Sequence, residues 1–256
     1  MYILKIEMFT VDDLPLIREG DDLSSMICRR IDLEDGDVLV IASTVVGKAE
    51  GVVFSLDDVI PGERALCIAS SNDQDPRFVQ AVLDRSVECL LESPIMLVQT
   101  GNDHVCINAG IDDSNVDTGL LVGLPSDPDA SAQHIGIGVE RICGSQVSVI
   151  ITDTNGRAFK IGQTGVAIGV YRIHPIKNWR GRSDLFGKTM EITEEAVADE
   201  VASAANLLMG EGDGGYPVVV VRGSDLYTDD DVTVREMYRP DDKDIIKKGL
   251  RCLTKL

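Results

Sequence analysis

Short aliphatic runs, each cut off by glycine or polar turn residues, recur along this chain, and none approaches the roughly eighteen residues a membrane-crossing helix needs. Such punctuation restricts the chain to short strands and mid-length helices around an aliphatic interior. It predicts strands over residues 38–46, 95–100, 104–111, 147–152 and 216–222, and helices over 21–30, 76–91, 130–142 and 193–208. In the last helix Ile192, Ala196, Val197, Val201, Ala204, Ala205 and Leu208 recur at helical spacing. Glu194 and Glu195 sit where the helix dipole favours negative charge, and Gly210 can close the end. Strands and helices mix without strict alternation, so the expected class is α+β (mixed α/β). One domain over residues 1–256 is expected, its two lobes meeting near 125–131.

Hydrophobic residues make up 44% of the 256 and aromatics only 4%, so aliphatic side chains must do most of the packing. The opening residues lack a secretory signal, and a soluble, cytoplasmic protein is expected. Cys28, Cys67, Cys89, Cys106, Cys143 and Cys252 are scattered with no C-x-x-C pair; they read as reduced and mostly buried. A formal charge of −19 excludes nucleic acid and anionic membrane as partners, because the summed field repels phosphates. Against that field one basic island stands out: Arg157, Lys160, Arg172, Lys177, Arg180, Arg182 and Lys188, with Asp184 the only acid between the first and last. It reads as a site for a phosphate- or carboxylate-rich ligand, with a solvated face as the alternative.

Two glycine strings mislead. Gly181-Arg-Ser-Asp-Leu-Phe-Gly187-Lys188-Thr189 imitates a phosphate-binding loop with its first glycine one residue too far away and no strand before it. Gly210-Glu-Gly212-Asp-Gly-Gly215 fits the dinucleotide string but follows a helix and precedes a strand, the reverse of the order that puts a helix N-terminus on a pyrophosphate. Neither a P-loop nor a Rossmann site is expected. Strand ends carry better information. The runs at 104–111 and 147–152 empty into Asp112, Asp113, Ser114 and Asn115, and into Asp153, Thr154 and Asn155. Carboxylates and hydroxyls of this kind suit hard divalent cations, with turn formation or helix capping as the other reading. Ser43 and Thr44, with Lys48 four residues on, are a candidate phosphate contact. Among the histidines His104 reads as structural, and His174 as a possible ligand contact.

Taken in order, Leu14-Pro-Leu-Ile17, Ser43-Thr44, Lys48-Ala-Glu-Gly51, Asn108-Ala-Gly-Ile-Asp112-x-Ser-Asn115, Ile151-Thr-Asp-Thr-Asn-Gly-Arg157, Gly165-x-Ala-Ile-Gly169, Asp184-Leu-Phe-Gly187, Ala198-Asp-Glu200 and Asn206-Leu-Leu-Met-Gly-Glu-Gly212 resemble the coenzyme F420-0:L-glutamate ligases, in their archaeal stand-alone form. The resemblance runs from the first strand to about Arg222. Lys160 and residues 171–174 depart from the pattern, and the nitroreductase-like extension of bacterial fused relatives is not expected.

The resemblance implies an uncommon mixed fold and a cytoplasmic homodimer. It implies a GTP-dependent ligase that adds L-glutamate to coenzyme F420-0 through an acyl phosphate, then a second glutamate by a γ-linkage. It further implies two divalent cations, Mn²⁺ or Mg²⁺, and K⁺. Asp112, Asp153, Thr154 and Glu211 would be metal ligands. Leu14, Pro15, Leu16, Ile17, Ser43, Thr44, Lys48, Asn115, Met209, Gly210, Gly212, Asp213, Gly214, Gly215 and Tyr216 would line the GTP site. Arg157, Lys160, His174, Arg180 and Arg182 would hold the acceptor's anionic groups, and no protein nucleophile is needed. A metal-dependent nucleotide phosphohydrolase and a non-catalytic nucleotide-binding module are the rival readings.

Overall fold

The structure is a computed structural model that describes residues 5–253. Its centre is a five-stranded sheet of β1 (Glu7–Thr10), β2 (Val38–Ala42), β8 (Ser148–Arg157), β9 (Lys160–Tyr171) and β12 (Val218–Arg222), in the order β1-β12-β2-β8-β9. Only β2 and β8 run parallel; the other neighbours are antiparallel. Continuous aliphatic runs such as Val38-Leu-Val-Ile41 fit strands covered on both faces. Leu39, Ile41, Val149 and Ile151 point into one layer with α1 (Leu23–Cys28) and α5 (Pro128–Cys143). Val38, Val40, Ile150 and Val219 point into the other, beneath α6 (Val197–Met209). The helix α2 (Ser43–Ala49) leaves the end of β2 directly.

A second layered unit holds β4 (Ser86–Leu91), β5 (Leu97–Thr100) and β6 (Val105–Ile107), an antiparallel sheet packed on α3 (Glu63–Asn72) and α4 (Pro76–Asp84). Smaller pieces complete the chain: β3 (Val53–Ser55) pairs with β7 (Leu120–Val122), β10 (Lys177–Asn178) pairs with β11 (Glu194–Glu195), and α7 (Ile245–Leu253) closes the described residues. Among these residues no helix is long and apolar enough to cross a membrane.

Local chemistry explains the main helix positions. At α5 the Asp127 carboxylate accepts from the Ala130 N–H at 3.1 Å, Pro128 occupies the first turn, and Gly144 ends the helix at φ 78°. Two glycines of β9 admit helices to the sheet at close range. A Cβ on Gly165 would stand 2.7 Å from the Ala202 carbonyl oxygen of α6, and one on Gly169 would stand 2.4 Å from the Pro128 backbone of α5.

The structure corrects several sequence expectations. The run 38–46 is strand only to Ala42, because Val45 and Val46 turn their apolar face inward as part of α2. The segment 76–91 is two elements, since α4 stops at Asp84 and the apolar residues beyond it pair as β4. Glu194 and Glu195 form β11, so the acids in the first turn of α6 are Asp199 and Glu200. At 104–111 the strand ends at Ile107, and Asn108, Ala109 and Gly110 follow with φ of 53°, 55° and 64°. The loop expected at 125–131 gives way to α5 at Pro128. Cys28 and Cys143 are joined in a disulfide between α1 and α5, against the expectation of reduced thiols. Cys106 is buried as expected, whereas Cys67 and Cys252 are exposed. Neither glycine string opens a helix: 181–189 is an irregular turn region, and 210–215 joins α6 to β12.

Candidate active site

β2 and β8 are parallel and in register through Ala42 and Thr152. β2 ends there, whereas β8 runs on to Arg157 paired with β9. Asp153, Thr154 and Asn155 therefore lie within the strand and not, as expected from sequence, beyond its end at 152. In open sheets with helices on their faces, the carboxyl edge is where ligands bind. The residues after Ala42 and Thr152 are Ser43 and Asp153, and the buried Ser43 hydroxyl donates to Asp153 Oδ1 at 3.0 Å. One residue on, Thr154 Oγ1 donates to Glu211 Oε1 at 3.2 Å. The same oxygen accepts from Asn206 Nδ2 at 2.8 Å, which ties the glycine-rich 210–215 turn to the last turns of α6.

Asp112 arrives from a different unit and is held by its backbone: its N–H donates to Val122 O at 3.0 Å and its carbonyl accepts from Val122 N–H at 2.9 Å. Its side chain accepts from the Ser114 N–H at 3.0 Å and from the Ser114 hydroxyl. Lys48 Nζ donates to the Asn115 carbonyl oxygen. Burial holds the Lys48 ammonium below its usual range, while the nearby Asp112 and Asp117 oppose that shift.

Electrostatics join these pieces. Burial pushes the Asp153 carboxyl up to about 6; hydrogen bonds from Ser43 and the Thr154 N–H pull the other way, and the charges of Asp112 and Glu211 push it further up. Asp153 therefore feels the charges of two further carboxylates, Asp112 and Glu211, at this edge of the sheet. Among the described residues no three His, Cys, Asp or Glu side chains close around a single ion position. The donor set of carboxylates and a threonine hydroxyl nevertheless fits a hard divalent cation, which uses few protein carboxylates where phosphate and water complete its shell.

Of the residues singled out from sequence, Ser43, Lys48, Asp112, Asn115, Asp153, Thr154 and Glu211 are thus drawn together, with Thr44 beside Ser43 in α2. Met209 is buried at the end of α6; Gly210, Gly212, Asp213, Gly214, Gly215 and Tyr216 form the turn around Glu211. Leu14, Pro15, Leu16 and Ile17 lie in the loop after β1. Leu14 and Ile17 face the core and Leu16 is 85% exposed. The loop reaches α2 where the Gly20 N–H donates to Ala49 O at 2.9 Å.

The basic residues lie elsewhere. Arg157 and Lys160 face each other at the β8–β9 hairpin tip, and Arg157 Nη2 donates to Ile161 O at 2.9 Å. His174 meets Asp230 at 2.9 Å, Arg180 meets Glu194 at 2.7 Å, and Arg182 stacks over Trp179. No hydrogen bond or ion pair among the described residues links these five to Asp112, Asp153 or Glu211.

Sequence reading passed over the wall opposite β8. His104, just before β6, and Cys106, within it, are both buried. His104 Nε2 lies 3.1 Å from Asn155 Nδ2, and burial drives the Cys106 thiol up to about 12, with the Asp153 charge adding to it. Asn206 stands out in the sequence only as the first residue of the Asn206–Gly212 motif. None of the three carries a local signal, because each owes its position to chain-distant packing.

Fold and site together define an α+β protein with an acidic, oxygen-rich centre at the carboxyl edge of a mixed sheet. Residues 13–223 match the family model described as F420-0:Gamma-glutamyl ligase. The chain is 60% identical over 252 residues to the coenzyme F420:L-glutamate ligase of Methanosarcina acetivorans, covering 98% of this chain and 99% of that protein. It is 49% identical over 251 residues to the protein of that name from Archaeoglobus fulgidus, covering 98% and 100%. The Haloarcula marismortui protein of that name is 42% identical over 252 residues, covering 96% and 97%. The chain belongs to the F420-0:Gamma-glutamyl ligase family.

Proposed function

We propose that this chain joins L-glutamate to coenzyme F420-0 at the expense of GTP and then adds a second glutamate through a γ-linkage. The observation that carries the reading is the meeting of Asp112, Asp153 and Glu211 beside Ser43 and Lys48 at one sheet edge. A carboxylate is a poor electrophile. In the proposed reaction an oxygen of the acceptor carboxylate attacks the γ-phosphorus of GTP, the bond to GDP breaks, and an acyl phosphate forms. The glutamate amine then attacks the acyl carbon, a C–N bond forms, inorganic phosphate leaves, and the amine proton passes to solvent.

Ser43, Thr44 and Lys48 hold phosphate oxygens in this scheme, and the 209–216 turn and the 14–17 loop enclose the nucleotide. Asp112, Asp153, Thr154 and Glu211 would hold two divalent cations, Mn²⁺ or Mg²⁺, which when bound offset charge on the β- and γ-phosphates. Potassium is proposed as an activator. Arg157, Lys160, His174, Arg180 and Arg182 are proposed to meet the acceptor's phosphodiester and carboxylates. Positioning and electrostatics supply the acceleration, and no side chain acts as nucleophile.

The test is to incubate the protein with F420-0, GTP, Mn²⁺ and glutamate and to weigh the products by mass spectrometry. Mass gains of one and two glutamyl units are expected, with phosphate release that requires acceptor and glutamate. Asp153→Asn should lose activity by several orders of magnitude. GTP breakdown without F420-0 or glutamate, and no glutamylated product, would replace the ligase by a phosphohydrolase.

A further inference from the structure

Behind the wall made by Asn155 lies a cavity of 280 Å³ that the scheme above does not use. Its lining includes His104, Asn155, Asp199, Tyr238, Arg239 and Lys247. That volume sits at the small end of ligand sites, too small for a nucleoside triphosphate or a deazaflavin and suited to a compact metabolite.

The charges in the wall are unusual. Asp199 spends one oxygen on the Ala167 N–H at 2.9 Å and has no ion-pair partner among the described residues. Lys247 is only 7% exposed, yet its ammonium has just a long 3.4 Å contact to Asp241, an acid already held by Arg251 at 2.9 Å. Arg239 makes no ion pair among the described residues. Two other acids of the lining are occupied: Asp103 accepts from Gln99 at 2.8 Å and pairs with Arg235, and Asp244 caps α7 through the N–H groups of Ile246 and Lys247, both at 2.9 Å. Asp199 is half-buried and Lys247 buried, and the two line one cavity without pairing with each other, so each keeps charge there that its protein partners only partly compensate. A ligand bearing both signs compensates the two. His104, 4% exposed and kept neutral by burial, adds no competing charge.

The position matters as much as the charge. Asn155 follows Asp153 by two residues on β8, a separation of about 7 Å along a strand. His104 touches Asn155, and Cys106 feels the Asp153 charge. The cavity therefore opens beside the carboxylate centre.

We infer that this cavity receives the free amino acid of the ligation, an α-amino dicarboxylate, with Asp199 on its ammonium and Lys247 and Arg239 on its carboxylates. The inference rests on the ligase reading and adds a binding site to it. An amine held there needs only a short reach to an acyl phosphate formed at Asp153.

The experiment separates the two steps. With glutamate omitted and hydroxylamine supplied, the acyl phosphate is trapped as a hydroxamate; with glutamate supplied, KM values are measured for each substrate. Asp199→Asn, Lys247→Gln and Arg239→Gln should form hydroxamate at the wild-type rate and keep the KM for GTP within about two-fold, while the KM for glutamate rises about ten-fold or more. Should Asp199→Asn fail to fold, because Asp199 also holds the Ala167 N–H, the exposed Arg239 and the terminal-helix Lys247 carry the same comparison. Unchanged glutamate KM in folded variants of an enzyme that ligates overturns the cavity assignment alone. Wild-type protein that yields neither hydroxamate nor glutamylated product overturns the ligase reading, and the cavity assignment with it.

Discussion

His104 is a buried imidazole whose protonation burial opposes, holding it down at about 4 instead of 6.5. The unfolded chain binds a proton at that residue as pH falls below about 6.5, and the folded chain does so only near 4, so stability is lost across that window and is complete above it. By this linkage about 2 kcal/mol of the stability difference between roughly pH 7 and pH 5 belongs to His104. Denaturant melts at the two pH values should show a difference smaller by that amount in His104→Gln, and equal slopes would refute the assignment. The polar residues at the sheet edge were legible one by one, since aspartates at the ends of apolar runs stand out in any sequence. That Asp153 binds Ser43 while its neighbour Thr154 binds Glu211 was not legible, because a strand sends consecutive side chains to opposite faces and only the sheet order says what waits there.

Among the elements, β9 has no counterpart in the strands expected from sequence. Gly162, Gly165 and Gly169 dilute its aliphatic pattern, yet at two of these positions the absence of a side chain is what lets helices lie on the sheet. Gly165→Ala would drive a Cβ to 2.7 Å from the Ala202 carbonyl oxygen and force α6 away from β9. The cost should be about 1–3 kcal/mol of stability. Activity should fall too, since α6 positions Asn206 and through it Glu211. Gly249→Ala, in α7 with nothing within 4 Å of its added methyl, should leave the melting temperature unchanged or raised. Activity assays and thermal melts of both variants check this; a fully active Gly165→Ala would show that α6 tolerates the shift. Elements were misjudged wherever an apolar run outlived its element: Val45 and Val46 extend the β2 pattern into a helix, and Val87 and Leu91 extend that of α4 into a strand.

At the scale of the molecule, class and absence of a membrane-crossing helix followed from composition and punctuation, whereas the pairing of Cys28 with Cys143 did not, because nothing local relates α1 to α5. Phe159 and Ile161 at the hairpin tip are 98% and 100% exposed, and Leu185 and Phe186 are 102% and 97% exposed. We propose that a second copy covers them, as apolar surfaces of this kind mark association sites. With a formal charge of −19 on each copy, pairing must overcome mutual repulsion that salt screens. Light scattering should give twice the 27.7 kDa chain mass at about 0.5 M KCl and a lower average near 0.01 M, where the screening length grows to about 30 Å. Leu185→Asp with Phe186→Asp should be monomeric in both; a dimer that survives this double change would place the contact elsewhere. Within each copy, β8 works like an axle: Asp153 turns toward α2, Thr154 toward the α6 turn and Asn155 toward β6. Adding or removing one residue ahead of Asp153 would rotate all three away from their neighbours at once. Spacing along this edge is therefore constrained as tightly as the identity of the side chains it carries.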